Sequence, residues 1–282
     1  MIAHHFTVDV EEYFHPTAMS PHFPMESWEG LSRRSPVVVD RLLELLATHN
    51  VSATFFVVGW LAERETAMVR AIAEAGHEIA SHGYEHELVG RLGREPFRAS
   101  IKRTKAVLED ITARAVIGYR APSFSIVPGL EWAFDVMIEE GYLYDASLFP
   151  VSRHPTYGYP DAARHPHWIE RASGRLAAFP ATTARFLGTT LPASGGAYFR
   201  LLPYHLVRSG LTQAEERGAP GMFYIHPWEL DDWAPEVSAP WLQKIRTFAG
   251  RNRCRLRLER LLREFSFQRV DRSLEAMSAP VP

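Results

Sequence analysis

Two histidines four residues apart are the first candidates for chemistry in this sequence. They are His82 and His86, in the segment GHEIASHGYEHELV, which also contains several carboxylates. On a helix or at a turn after a strand, this spacing lets both imidazoles face one ion, and neutral imidazole is a good ligand for zinc and its first-row neighbours. In a chain with 13 histidines such a spacing also arises by chance. A metal site therefore needs a third ligand elsewhere.

The opening segment FTVDVEEYF supplies a candidate for that ligand. Asp9 and Glu11 are two residues apart, so on an extended strand they share one face. Acidic residues among aromatic and β-branched neighbours are costly to bury unless a cation pairs with them. The alternative is a solvated strand edge with exposed carboxylates.

Three more polar residues stand in or directly after apolar runs. Arg120 follows AVIGY, Asp145 lies in YLYDASLF and His226 follows GMFYI. Taken singly, each has a structural explanation: a helix cap, a turn acid and a donor to a backbone carbonyl. In a parallel α/β barrel, however, the carboxyl ends of all strands meet at one face. The sequence then predicts one mouth that gathers Asp9, Glu11, His82, His86, Arg120, Asp145 and His226.

The elements that would position these residues alternate between two periods. Seven short apolar, β-branched or aromatic runs read as strands: HHFTVDV, SATFFVVG, HEIASHGY, AVIGYRAP, YLYDASLF, LAAFPAT and GMFYIHPW. Helical patterns lie between most of them. One is predicted to begin with Ser35 as N-cap and a proline in the first turn, one runs from Pro128 to a stop at Gly141, and one carries an apolar stripe from Phe97 to Ile111. The alternation predicts a parallel sheet covered by helices, either open or closed into a barrel.

Three segments are longer than ordinary connections and rich in Pro, Gly, His and aromatics: residues 13–35, 149–170 and 184–200. Long loops of this kind more often form lids or binding walls than spacers. No repeat or linker divides the chain. We expect one domain over residues 1–270, including a C-terminal extension, and a tail over 271–282.

Composition excludes several classes of function. The chain has 282 residues, 46% of them hydrophobic, and a formal charge of −2, which gives no net attraction to nucleic acid. A lone Cys254 excludes an internal disulfide and a thiolate cluster. The first residues have no signal-peptide pattern and no apolar run is long enough to span a bilayer. A cytoplasmic location is the expectation, and the oligomeric state is left open.

Five motifs in this order, TVDVEE, HGYEH, RAPSF, YDASLF and FYIHPW, resemble the successive motifs of the NodB-homology polysaccharide deacetylases, carbohydrate esterase family four. The resemblance covers residue 3 to about residue 230. The segments GYRAPSFSI, GGAYFRLLP and YIHPWELD are similar to the branch associated with exopolysaccharide export and exosortase loci, which extends it to about 265. The family implies a distorted (β/α) barrel of about seven parallel strands, with long loops at the carboxyl face.

The resemblance implies a metal site. The second acid of the first motif and both histidines of the second are the family's ligands, which assigns His82 and His86. The acid departs from the family pattern, because Val10 stands where an aspartate is usual. An acid-x-acid arrangement points to Glu11, with Glu12 as the alternative. The implied cofactor is one divalent metal, zinc first, with cobalt or nickel possible.

The resemblance also implies catalytic roles. Asp9 corresponds to the general base, Arg120 to the arginine that pairs with it, and His226 to the general acid, with Asp145 as its orienting partner. The family commonly has tyrosine where Ser123 stands, so only a backbone donor to the oxyanion is expected there.

Aromatic rings in the long loops suit the faces of sugars, although rings that only cover the barrel top would give the same pattern. Phe124, Tyr198 and Trp228 are the candidate substrate contacts beside Ser123. The further loop aromatics are Tyr13, Phe14, Trp28, Tyr157, Tyr159, Trp168 and Phe199.

The implied activity is removal of N-acetyl groups from amino sugars of a bacterial exopolysaccharide or its precursor. The alternatives are an allantoinase-like hydrolase of small amides, which a deep closed pocket would favour, and a non-catalytic carbohydrate-binding barrel, which loss of the base or acid would favour. A retaining glycosidase would leave the paired imidazoles unexplained.

Overall fold

The structure is a computed structural model that describes residues 2–152, 154, 156–233 and 235–278. Its strands are β1 (His4–Val10), β2 (Thr54–Val57), β3 (Glu78–Ser81), β4 (Gly118–Tyr119), β5 (Tyr144–Asp145), β6 (His167–Arg171), β7 (Gly174–Ala178), β8 (Thr183–Phe186), β9 (Thr189–Pro192), β10 (Met222–Ile225) and β11 (Phe267–Gln268). Its α-helices are α1 (Ser35–Thr48), α2 (Gly59–Arg64), α3 (Thr66–Glu74), α4 (Val89–Leu92), α5 (Arg94–Thr112), α6 (Trp132–Glu139), α7 (Gly196–Leu201), α8 (Tyr204–Glu216), α9 (Trp241–Phe248), α10 (Arg251–Glu264) and α11 (Val270–Ser278). Short 3-10 helices cover Met25–Gly30, Pro122–Phe124 and Pro227–Glu229.

One curled sheet carries the fold. Its strand order is β10-β1-β2-β3-β4-β5-β7-β6, and β11 pairs with the start of β1. All pairs along this path are parallel except β6 with β7. Six of the seven runs predicted as strands contain one of the parallel strands from β10 to β7, and the seventh, LAAFPAT, overlaps β7. The predicted fold class, a single-domain distorted (β/α) barrel, is confirmed as a half-barrel.

Strand β1 shows that the sheet is buried on both faces. All seven residues of β1 are buried, as expected for a parallel strand covered on either side. Phe6, Val8 and Val10 join the large core between the sheet and its helices. The alternate residues face the inside of the half-barrel by the two-residue period of a strand. Asp9 is therefore presented inward, beside Phe56 of β2 in the sheet register.

The gap between β7 and β10 is covered by irregular backbone. The Ser194 carbonyl accepts the Tyr224 N–H at 2.7 Å, and Gly195 forms an isolated parallel bridge with Tyr224. The Thr182 hydroxyl accepts the Met222 N–H at 2.5 Å. These bonds satisfy backbone groups that the edge strand β10 would otherwise leave unpaired.

Two helix starts differ from the sequence expectation. Arg34, and not Ser35, is the N-cap of α1, because Ser35 already has helical geometry at its first position. The segment from Pro128 forms turns before α6 begins at Trp132. The stripe of α5 is buried as predicted at Phe97, where it faces the sheet.

The segment 184–200 is not a plain loop. It contains most of the hairpin β8–β9 and the first residues of α7. The two residues between these strands, Leu187 and Gly188, both have positive φ (47° and 82°), the geometry that a two-residue hairpin turn requires. The antiparallel strand β6 and the short β11 were likewise missed.

The predicted tail at 271–282 begins as helix α11, in which Val270 and Leu274 are buried. The Ser273 hydroxyl lies 2.7 Å from His5 Nε2, so this helix is anchored to β1. Residues 279–282 lie outside the described part of the chain, and the domain boundary at 270 stays a prediction. Within the described residues, none of the helices combines the length and the apolar character needed to cross a bilayer. The cytoplasmic location also stays a prediction.

Candidate metal centre and active site

The fold brings Glu11, His82 and His86 together. All three are buried, and one ligand atom from each lies within 4.8 Å of the others. Glu11 directly follows β1 and His82 directly follows β3. His86 has a positive φ of 57°, uncommon for a residue with a side chain, and this backbone turn carries its imidazole back to the same point. The structure thus brings two imidazoles and a carboxylate that follows the first strand together, and their role as metal ligands stays a prediction.

Glu12, the alternative ligand, has another role. Its carboxylate oxygens accept the backbone N–H groups of Ser35 at 2.8 Å and Arg34 at 3.0 Å. It therefore caps the start of α1, where a carboxylate also interacts favourably with the helix dipole. Burial raises the pKa of Glu12 to about 7.

Unsatisfied atoms in the cluster fit a divalent cation. Glu11 Oε2 lies 2.5 Å from His86 Nε2, yet it makes no hydrogen bond among the described residues, and neither does His86 Nδ1. The Arg120 carbonyl lies 2.8 Å from His82 Nδ1. If Nδ1 donates this bond, Nε2 is left as the free ligand atom, the usual arrangement for a metal-binding histidine. Orphaned buried polar atoms require an explanation, and an ion between these donors supplies one.

Protonation also favours a metal. Burial lowers the pKa of His82 to about 4. Burial raises the pKa of Glu11, but the charges of His86 and His226 outweigh that effect and hold it well below its usual range. Neutral imidazole and ionised carboxylate are the forms that bind metals.

Asp9 and Arg120 form a buried ion pair, as the resemblance implies. Arg120 Nη1 donates to Asp9 Oδ1 at 2.5 Å and to the Thr7 hydroxyl at 2.9 Å, while Nε donates to the Ala146 carbonyl at 3.2 Å. The guanidinium carbon lies 4.1 Å from the centre of the Phe56 ring. These contacts fix the arginine from several sides, and the arginine in turn fixes one oxygen of Asp9.

His226 lies next to both carboxylates of the first strand. Its Nε2 is 3.9 Å from Asp9 Oδ2 and 3.6 Å from Glu11 Oε1. Its Nδ1 is 2.9 Å from Glu229 Oε2, and Glu229 forms a second ion pair with buried Arg200. Burial lowers the pKa of His226, but Glu229, Glu11 and Asp9 together raise it to about 9. The imidazole is therefore protonated at neutral pH.

Asp145 does not contact His226, so the predicted orienting partner is wrong in this respect. Its carboxylate accepts the Ser147 hydroxyl at 2.5 Å and the Ser147 N–H at 3.0 Å. The same hydroxyl oxygen accepts the Ala121 N–H at 2.8 Å. Asp145 therefore supports the turn after Arg120. The strand order explains the error, because β5 and β10 are separated by four strands.

The turn after Arg120 has an unusual backbone geometry. Ser123 and Phe124 both have φ of 53°, and the Ser123 hydroxyl lies 2.8 Å from that of Thr17. The role of the Ser123 backbone N–H as an oxyanion donor stays a prediction. Phe124 is buried against Phe149 and Tyr224.

Most of the loop aromatics are part of the core. Tyr13, Phe14, Trp28 and Phe199 are buried, so they do not form an open sugar platform. Trp228 is buried as well. It lies almost parallel to His226 with ring centres 4.9 Å apart, and its Nε1 donates to Glu11 Oε1 at 3.1 Å.

Tyr198 is only partly buried, and its hydroxyl lies 2.7 Å from that of Tyr157. Tyr159 and Trp168 are partly buried too. These three leave some ring surface for a ligand.

Three residues of the site were not predicted from the sequence: Glu229, Arg200 and His15. His15 is buried, stacks with His86 at 6.1 Å between ring centres, and accepts the Glu12 N–H at 3.0 Å through Nδ1. Burial lowers its pKa well below the usual value. The pairs Glu12/His15 and His226/Glu229 share a three-residue spacing after a strand, and that spacing was the available signal for tight turns.

Comparison with known families gives two matches along the chain. Residues 30–128 match the family model for polysaccharide deacetylase, and residues 146–275 match a domain of unknown function, DUF3473. The peptidoglycan deacetylase of Helicobacter pylori is 29% identical over 43% of this chain and 40% of its own length. The peptidoglycan-N-acetylglucosamine deacetylase of Bacillus cereus is 34% identical over 33% of this chain and 34% of its own length. The matches thus span well under half of these relatives.

Solved structures share the fold over the whole chain. A putative polysaccharide deacetylase from Mycobacterium smegmatis superposes with a TM-score of 0.66 at 22% identity, covering 100% of this chain and 96% of that one. The PuuE allantoinase gives 0.65 at 18% identity, covering 99% and 92%. Residues 30–128 are thus similar to the polysaccharide deacetylase family, and the solved structures show the same fold over the whole chain.

Proposed function

We propose that this protein is a metal-dependent hydrolase that removes N-acetyl groups from amino-sugar units of a bacterial exopolysaccharide or its precursor. The observation that carries the proposal is the buried Glu11, His82 and His86 cluster, with ligand atoms within 4.8 Å of one another, next to an ion-paired aspartate and a protonated histidine. The similarity to a peptidoglycan deacetylase and a peptidoglycan-N-acetylglucosamine deacetylase supports this class of amide bond.

The metal would be held by the Glu11 carboxylate and the two imidazoles, with zinc preferred and cobalt or nickel as alternatives. Such an ion lowers the pKa of water toward about 7 and polarises an acyl oxygen. The branch associated with exosortase loci belongs to the same proposal, since the DUF3473 match is compatible with it.

Asp9 and His226 divide the proton transfers. Arg120 holds Asp9 Oδ1, so Oδ2 is the oxygen available to take a proton from the attacking water. His226 carries a proton at neutral pH, and its Nε2 lies on the Asp9 side of the site, where it can protonate the departing nitrogen. An amine leaves poorly without that proton. Glu229 supports the charge on the other ring nitrogen.

The backbone N–H of Ser123 is the candidate donor to the developing oxyanion. Its positive φ, 53°, is a strained geometry for a residue with a side chain and is often found at functional sites. One such donor contributes about 2.7–4 kcal/mol in other hydrolases.

A small cyclic or linear amide is the second candidate substrate. The burial of Tyr13, Phe14 and Trp28 in the segment after β1 favours it, because an open groove lined by exposed rings would suit a polymer. A non-catalytic barrel ranks last, since both the base and the acid are present.

The test is acetate release from N-acetylglucosamine oligomers and from the native exopolysaccharide, before and after chelation and with zinc, cobalt or nickel restored. Hydrolysis of allantoin is measured in parallel. We expect metal-dependent acetate release, and we expect Asp9→Asn to bind metal but lose nearly all turnover. Asp40→Asn, on the exposed face of α1, is the control. Full turnover by metal-loaded Asp9→Asn would contradict the assigned base, and activity on allantoin alone would select the second candidate.

A further inference from the structure

Helix α9 presents its apolar side away from the protein. Trp241, Leu242 and Ile245 are 67%, 62% and 44% exposed, whereas Thr247 is buried. Positions i, i+1 and i+4 fall on one side of a helix, so the three large apolar side chains form one outward face. In an ordinary surface helix the apolar stripe faces the core. Among the described residues, nothing covers this face.

Helices α9 and α10 are rich in basic residues. The 24 residues 241–264 contain eight Lys or Arg and two Asp or Glu, a charge of +6 for this segment in a chain whose formal charge is −2, while Asp231, Asp232 and Glu236 lie in the segment just before α9. Lys244 and Arg253 are exposed, and their side chains have no ion pair or hydrogen bond with the described residues. Leu256 of α10 adds a further apolar side chain that is 68% exposed.

The face lies beside the loops that follow the strands of the barrel. The Gln243 side chain is 2.9 Å from His22 Nε2, in the loop after β1. The Arg246 guanidinium is 3.2 Å from His154 Nε2, in the loop after β5. Helix α9 is thus fixed on its polar side to the end of the barrel that holds the candidate site, which leaves the apolar side directed to the exterior.

We infer that α9 and the start of α10 form a docking surface for an anionic lipid bilayer. Aromatic and aliphatic side chains beside lysine and arginine are typical of helices that lie in the membrane interface. Anionic lipids attract basic residues near their surface, and the local excess of positive charge favours such lipids over a neutral surface or a second copy of this chain. The inference goes beyond the proposed function and does not depend on it.

Insertion is measured directly with a fluorescent label. The only cysteine of the chain, Cys254, is fully buried, so Leu242→Cys can be labelled selectively with an environment-sensitive dye. We expect a blue shift with vesicles of phosphatidylcholine and phosphatidylglycerol, reversed by high salt, and none with phosphatidylcholine alone. A label at Leu187→Cys, in the exposed β8–β9 turn, is the control and should not shift.

Vesicle sedimentation then tests the charges and the apolar face separately. One basic residue near an anionic surface contributes about 1 kcal/mol, or about fivefold in partitioning, so Lys244→Glu with Arg253→Glu should weaken binding by about 25-fold or more. Leu242→Ser should weaken it at any salt concentration. Lys102→Glu, an exposed lysine of α5, should bind like wild type. No binding of the wild type to anionic vesicles, or equal losses in Lys102→Glu, would overturn the inference.

Discussion

Replacing Glu229 by glutamine should lower the pKa of His226, so that the imidazole loses its proton at a lower pH. Glu229 Oε2 lies 2.9 Å from His226 Nδ1, and its charge is the largest of the effects that raise the pKa of this histidine to about 9. Glu11 and Asp9 also raise it, but a divalent cation at the site would offset much of their charge. Glu229 would then be the main support of the imidazolium.

The size of the effect follows from the protonated fraction. With a pKa of about 9, roughly 90% of His226 carries a proton at pH 8. Without Glu229 the pKa should return to the ordinary value of about 6.5 or lower, because burial lowers it, and only about 3% is protonated at pH 8. Because a bound cation also lowers the wild-type pKa, turnover by Glu229→Gln should be lower than wild type by up to about thirtyfold at pH 8 and nearly equal to it at pH 6.

The assay is acetate release across pH 5.5–9.5, compared at each pH with wild type. A substrate whose leaving group needs no protonation, such as an aryl acetate, gives a second check, because its hydrolysis should fall much less. Asp145→Asn is the matched control. Its carboxylate bonds to Ser147 and burial raises its pKa to about 6, so any loss should be constant between pH 7.5 and 9.5, where the loss in Glu229→Gln should grow. A loss in Glu229→Gln that is as large at pH 6 as at pH 8 would refute the reasoning.

Three further outcomes follow from the same geometry. His82→Ala should lose the metal, measured as bound metal per chain after desalting, and retention of one ion per chain would exclude His82 as a ligand. Trp228→Phe removes the 3.1 Å hydrogen bond to Glu11 and should weaken metal affinity about 10–100-fold in a competition titration with a chelator; unchanged affinity would contradict this role. Gly195→Ala should lower the melting temperature strongly, because a Cβ there would lie 1.8 Å from a backbone carbonyl oxygen of β10, whereas at Gly188 it would meet open space and Gly188→Ala should cost much less.

Long-range placement was predictable wherever parallel strands alone determine it. Glu11 directly follows β1 and His82 directly follows β3, and a single strand, β2, lies between these two strands in the sheet. Strands of a parallel sheet end at one edge, so the sequence positions of two strand ends were enough to bring these side chains together. Arg120 follows β4, so it was predicted at the same edge of the sheet as Asp9.

Local turns were not predictable in the same way. In HPWE, Pro227 opens a 3-10 turn that returns the Glu229 carboxylate to the His226 N–H at 3.1 Å as well as to its ring. This local turn makes Glu229 the partner of His226, a role that was predicted for Asp145. The distance between β5 and β10 depends on the curvature of the sheet, and strand patterns do not encode it. The turn from Glu12 to His15, in which His15 Nδ1 accepts the Glu12 N–H, was also missed because strand patterns do not indicate local turns.

The two carboxylates after β1 have different roles, since Glu12 caps helix α1 and Glu11 belongs to the candidate metal site. Glu12 accepts two backbone N–H groups at the start of α1, which fixes the chain immediately after Glu11. Glu11 itself receives the Trp228 donor on one oxygen and presents the other, unsatisfied, toward His86. A free-energy cost of leaving that oxygen unpaired in the core is of the order of 1–3 kcal/mol or more for a charged group. The helix cap and the tryptophan therefore hold the Glu11 carboxylate in place beside the two imidazoles.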